Sequence, residues 1–133
     1  MLFEEGLYTF LSTNSAIVGV LSTRSYPLLA PQNTSFPVLT YRVTGKTPDL
    51  ELAQDGMLSI FLELTIWAEE YFSAKFVARI VREQCKVTPP SLGGFPIETV
   101  VWRNETDDFD AEAKGGVGLF SVTEHFEVIV VAD

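Results

Sequence analysis

Between residues 57 and 67 the chain alternates without a break. Leu58, Ile60, Leu62, Leu64 and Ile66 fall on one side; Ser59, Phe61, Glu63, Thr65 and Trp67 fall on the other. A period of two is the signature of a strand with one buried face. Elsewhere the period changes. Phe3, Leu7, Phe10 and Leu11 recur at helical spacing, so the chain opens with an amphipathic helix, and Ile17, Val20 and Leu21 suggest a short second one. "TNS" at 13–15 supplies stop and N-cap chemistry between them, because such side chains compete for backbone hydrogen bonds. Leu39, Tyr41 and Val43 alternate with Thr40, Arg42 and Thr44, predicting a strand over 38–45. A helix is expected over 70–86, with Phe72, Phe76, Ile80, Val77 and Val81 as its buried stripe and Glu69 and Glu70 at its positive end. Strands at 97–104 and 119–131 complete the set. "GKTPDLELAQDG" (45–56), "TPPSLGG" (88–94) and "ETDDFDAEAKGG" (105–116) read as connections. The order helix, strand, strand, helix, strand, strand predicts an α+β fold. Its antiparallel sheet has about four strands, with the N-terminal and central helices packed on one face, in a single domain over 1–133.

One segment does not fit the usual picture of a loop. "SYPLLAPQNTSFPVLTY", residues 25–41, holds three prolines, several aromatics and no charge. Tyr26 and Phe36 each precede a proline and are held extended, and Pro31 stiffens the middle. A segment so stiffened loses little entropy on ordering against a partner, which suits Tyr26, Pro27, Leu28, Leu29 and Pro31 to docking. Covering a sheet edge would require the same stiffness.

Composition narrows the function classes. The chain has 133 residues, 47% hydrophobic, with 18 acidic residues against 9 basic ones and a net charge of −9. That balance argues against gripping nucleic acid through its phosphates. Cys85 is the only cysteine, which rules out an internal disulfide and a cysteine zinc site. Glu4 and Glu5 stand where a signal peptide would carry Lys or Arg, and Ser12 to Ser15 interrupt the uncharged run over 6–23. A soluble, cytosolic protein is expected.

Catalytic constellations are hard to assemble from these residues. His125 is the sole histidine, sharing a strand face with Thr123 and Glu127 but lacking metal-ligand spacing. The acids at Glu105, Asp107, Asp108, Asp110 and Glu112 resemble a calcium loop, but Ala113 and Leu119 fall where its glycine and bidentate glutamate belong. Gly115, Gly116 and Gly118 lead into a strand rather than a helix N-terminus, so they do not form a phosphate cradle. No metal, cofactor or catalytic residue is expected. Lys75, Arg79, Arg82 and Lys86 recur on one face of the central helix and account for four of the nine basic residues. They form either a solvated face or a stripe that meets an acidic surface, such as the 105–112 segment of a neighbouring copy.

Four blocks carry a family likeness. "RSYPLLAPQNTSFPVLTYRVTG" resembles a segment of the tail-completion proteins of tailed bacteriophages: an aromatic-proline pair, "APQ", then proline and a strand containing tyrosine. "LELTIWAEEYFSAKFVARIVR" is similar to the next block, "ETDDFDAEAKGGVGLFSVTEHFEVIV" to the closing one, and "GLYTFLSTNSAIVGVLS" to the leading helix. Glu69-Glu70 replace the Ser or Thr cap often found there. The resemblance runs nearly end to end. It implies a non-enzymatic tail terminator that forms a ring, typically a hexamer, on the tail tube. The implied partners are further copies of the chain, the tail tube protein, the head-tail connector or stopper and the tape measure protein. DNA would pass through the channel without sequence-specific binding, no membrane would be involved, and the site would be the neck of the virion. A head-completion or stopper protein is the nearest alternative. A small ligand-binding or hydrolytic domain using His125 is the more distant one.

Overall fold

Asn14 divides the first helical stretch in two. Its N–H donates to Phe10 O at 3.0 Å and closes α1 (Phe3–Thr13), while its Oδ1 accepts from Ala16 N and Ile17 N to start α2 (Ser15–Leu21). The computed structural model describes residues 2–48, 57–87, 91–92, 94–114 and 117–131. The third helix, α3 (Tyr71–Lys86), begins at Glu70, which makes no side-chain cap bond.

Six strands form one sheet in the order β1-β2-β3-β6-β5-β4: β1 (Ser25–Pro27), β2 (Val38–Pro48), β3 (Met57–Ala68), β4 (Ser91–Leu92), β5 (Phe95–Lys114) and β6 (Val117–Val131). The fold is α+β, as expected. The extra strands are β1 and β4, two or three residues each at the two edges, too short to show a period in sequence. β1 runs parallel to β2 and makes the sheet mixed; the other pairings are antiparallel.

The expected alternation is realised from Ile60 onward, while at the start of the strand Ser59 is buried as well and Leu58 only partly. Ile60, Leu62, Leu64 and Ile66 are buried on the helix side, in one core with Leu7, Leu11, Ile17 and Leu21 of the first two helices and Val77 and Val81 of α3. Phe61, Glu63, Thr65 and Trp67 face the open side, where Thr65 and Thr123 hydroxyls meet at 3.0 Å and Trp67 Nε1 donates to Thr40 Oγ1 at 3.1 Å.

Two expectations need correction. The 105–112 segment is strand, not loop: β5 runs on to Lys114 and pairs with β6 as far as Lys114↔Val117, with register shifts at 97/99, 102/104 and 110/114. Acidic residues are poor strand formers, but Glu105 and Asp107 sit opposite Lys75 and Arg82 of α3, and the segment is paired with β6, which together override propensity. The buried stripe of α3 is Ala74, Val77, Ala78, Val81 and Cys85, whereas Phe72 is 81% and Phe76 59% exposed. The two alanines let α3 lie close on the sheet, a fit that two phenylalanines would prevent. Of the expected connections, residues 49–56, 88–90, 93 and 115–116 lie outside the described residues.

Candidate interaction surfaces

The proline segment both covers an edge and projects from it. β1 takes three residues of the β2 edge, from Ser25↔Leu39 to Pro27↔Tyr41, with Leu39 N donating to Arg24 O and Leu28 N donating to Tyr41 O, each at 2.9 Å. Past Pro27 the backbone turns through Leu28 at φ 65° and Asn33 at φ 64°, left-handed conformations that L-residues adopt only at a cost. Arg24 Nε braces the return by donating to Pro37 O at 2.9 Å. Tyr26 is half-buried, Pro27 and Pro31 are exposed, and Leu28 and Leu29 are 64% and 82% exposed. Between this segment and the sheet lies a groove of about 590 Å³, lined by Leu29, Pro31, Phe36, Val38, Trp67 and Leu119 among others.

The basic stripe of α3 meets acids of its own chain. Lys75 Nζ lies 2.5 Å from Glu105 and 3.1 Å from Asp107, and Arg82 lies 3.5 Å from Glu105. Tyr71 donates to Asp107 at 2.7 Å. Arg82 also stacks over the Trp102 ring at 5.0 Å, with Lys86 at 6.0 Å. These contacts raise the Lys75 pKa, chiefly through the hydrogen bond to Glu105, and raise that of Tyr71 through its bond to Asp107. Exposed pairs contribute at most about 1 kcal/mol each. Here they define where α3 sits along β5 more than they stabilise it. Arg79 and Asp108 remain on the surface, and Asp108 accepts from the neighbouring Phe109 N at 2.8 Å. Asp110 lies at the rim of the groove beside Leu119. Glu112 lies within β5.

Beneath this layer Glu124 is fully buried, with Trp102 Nε1 donating to its Oε1 at 2.9 Å. Burial and the facing Glu105 carboxylate push its pKa up to about 8. While ionised, its Oε2 has no hydrogen-bond partner; a proton turns that oxygen into a donor toward Glu105. The bond with Glu124, then Lys75, hold Glu105 below the usual carboxylate range.

Aromatic rings run from the outer face of α3 toward the end of the β5–β6 hairpin. Phe72, Tyr71, Phe120 and Phe109 follow at centroid spacings of 5.4, 5.8 and 4.7 Å, with Phe109 half exposed. Gly118 leaves room for this, since a Cβ there would run into the Phe109 ring. On the open face His125 lies 3.9 Å from Glu63 and 3.2 Å from Thr106 Oγ1, and Arg103 pairs with Glu127. Among the described residues, no group of three His, Cys, Asp or Glu is placed to hold a metal. The Cys85 thiol is buried, which pushes its pKa up to about 12 and leaves it a poor nucleophile.

The residues singled out from sequence therefore divide. Lys75, Arg82, Glu105 and Asp107 are brought together within one molecule; Tyr26 to Pro31 stand apart from them at the far edge of the sheet. Sequence reading missed Glu124 and the outward Phe72 and Phe76. Glu124 has a visible signal, a lone acid on the apolar face of β6 between Val122 and Phe126. The phenylalanines have none, because α3 carries two apolar stripes of similar period.

The model of the family described as Tail completion protein gp17 matches residues 5–130. Among solved structures, a chain of the "Virion of native gene transfer agent (GTA) particle" is similar, with a TM-score of 0.71 at 14% identity. The alignment covers 97% of this chain and 93% of that one. No curated protein matches in sequence.

Proposed function

The chain belongs to the tail completion protein gp17 family, and from that premise we propose that it is a tail terminator. The family match over residues 5–130 is the observation that carries this reading. A structural role in tail assembly follows from membership; the terminator activity is the finer step. In this reading several copies, six in the simplest case, form a ring on the last ring of the tail tube. The ring occupies the surface the next tube subunit would use and offers its other side to the head-tail connector or stopper. The apolar projection at Leu28, Leu29 and Pro31 supports it, because a stiff, solvent-facing leucine pair suits a contact better than a solvated loop. Tyr26 and Pro27 belong to the same surface. Arg79, Lys86, Asp108, Asp110 and Glu112 are its polar counterpart elsewhere on the molecule, while Lys75, Arg82, Glu105 and Asp107 hold that part of the surface in shape. The tape measure protein would meet the ring from inside the tube. DNA would pass through a bore whose acidity keeps it from sticking. The working location is the neck of the virion, after assembly in the host cytoplasm.

Tube growth in vitro tests this. Purified tube protein polymerised with the chain present should give short tubes of fixed length with a ring at one end. Leu28→Ser with Leu29→Ser should restore unlimited growth while leaving the melting temperature within a degree or two. Tubes of unchanged length with wild-type protein would refute the terminator reading, and binding to the connector alone would point to a stopper.

A further inference from the structure

Among the described residues Glu124 is the only acid with no exposed surface, and the tail-assembly reading makes no use of it. It lies where three elements meet. On the sheet it pairs with Leu64 of β3 on one side and Glu105 of β5 on the other. Trp102 Nε1 donates to one carboxyl oxygen, while the second, Oε2, is buried without a partner. A carboxylate left so bears the desolvation of a charge that nothing offsets, and a proton removes that penalty.

Charged and titratable groups reach Glu124 from two sides. β5 brings Glu105; α3 brings Arg82 and the Cys85 thiol, which stays neutral because burial pushes its pKa up to about 12. Lys75 arrives indirectly, bound to Glu105 and Asp107. From β3 come Leu64 and its buried neighbours Leu62 and Ile66, with no charge. With its proton, Glu124 donates to Glu105, which stays ionised and holds Lys75 and Arg82. One hydrogen bond then ties β6 to β5 and, through Glu105, to α3. Without the proton two carboxylates face each other out of reach of water. Arg82 is then drawn off Glu105 and the Trp102 ring that it covers at 5.0 Å. The rest of the α3 footing is modest, since its buried stripe is two alanines, two valines and a cysteine.

We propose that Glu124 is a proton-operated clasp: protonated, it fastens α3 to the β5–β6 ladder, and ionised, it lets α3 open from the sheet while the β2–β3 ladder stays formed. This goes beyond the terminator reading and does not depend on it. Burial, then the facing Glu105, holds the pKa in the closed state at about 8, against 4.5 once the group is solvated. Opening therefore releases a proton. Its equilibrium constant rises with pH by up to about tenfold per unit between those values and levels off above them.

Amide hydrogen exchange from about pH 5 to 9, corrected for intrinsic rates, tests the clasp. Wild-type α3 should lose protection by up to about tenfold per pH unit as far as about pH 8 and little more beyond. β2 and β3 should keep theirs. Glu124→Gln retains both hydrogen bonds and cannot ionise, so its α3 should stay protected throughout. With Trp67→Phe, Trp102 is the only tryptophan left, and its emission should titrate with the same midpoint. In that background Glu105→Gln should lower the midpoint by removing the facing charge, and Arg82→Met should raise it. Circular dichroism identifies any variant that fails to fold, and the wild-type contrast between α3 and β3 decides without it. Protection lost equally from α3 and β3, an equal loss in wild type and the Glu124 variant, or midpoints that do not move in opposite directions would each overturn the proposal.

Discussion

Glu124 is a carboxyl group in the place of a core side chain, and its pH behaviour follows from that. The folded pKa of about 8 lies above the ordinary glutamate value of 4.5, so between them the folded chain binds more proton than the unfolded one. The stability it contributes is fully present below about pH 4.5 and drains as pH rises toward about 8. Glu105 works in the opposite sense: its lowered pKa gives stability above the unfolded value, lost as pH falls through the folded one. Wild-type protein should therefore lose several degrees of melting temperature from about pH 5 to 8. Glu124→Gln keeps an acceptor for Trp102 and a donor toward Glu105 without titrating, and its melting temperature should stay flat across that window. An equal slope in both proteins would assign the loss to other groups.

At the level of elements, legibility tracked how many faces an element has to satisfy. β3 lies in the middle of the sheet, buried on one face and polar on the other, and its alternation fixed both register and orientation without outside help. The N-terminal helices were legible for a similar reason, since Asn14 marks their junction and their apolar spacing has one solution. The acidic half of β5 was not. Its strand state depends on Lys75 and Arg82 arriving from α3, a contact that no local pattern announces. Likewise α3 hides small residues and displays large ones, inverting the size rule by which a stripe is usually chosen. This inversion has a measurable form. Phe72→Ser and Phe76→Ser should each change stability by no more than about 0.5 kcal/mol, whereas Val81→Ala should cost about 2 kcal/mol. Denaturant midpoints would check the contrast. A Phe72 variant as damaging as the Val81 one would mean that the outer face of α3 is covered in the free protein.

Across the whole molecule, the architecture was legible to the extent that it is made of hairpins and amphipathic helices. The edges were not, because β1 and β4 are strands only through their neighbours. The surface followed the same rule: Leu28 and Leu29 stood out in sequence by their prolines, while the basic stripe, open in sequence between a solvated face and a stripe meeting an acidic surface, meets the acidic strand of its own chain. One consequence of the strand order concerns how the chain finds its fold. β2–β3 and β5–β6 are each local ladders between consecutive strands, but the seam that joins them, from Ala68↔Phe120 to Met57↔Val131, brings together strands with all of α3, β4 and β5 between them. Closing that seam bears the largest loop entropy of any strand pairing in the sheet, so the ladders should form early and the seam late. Leu64→Ala on β3 should then mainly speed unfolding, whereas weakening the β5–β6 ladder with Val100→Ala should mainly slow refolding, as paired chevron plots would read out.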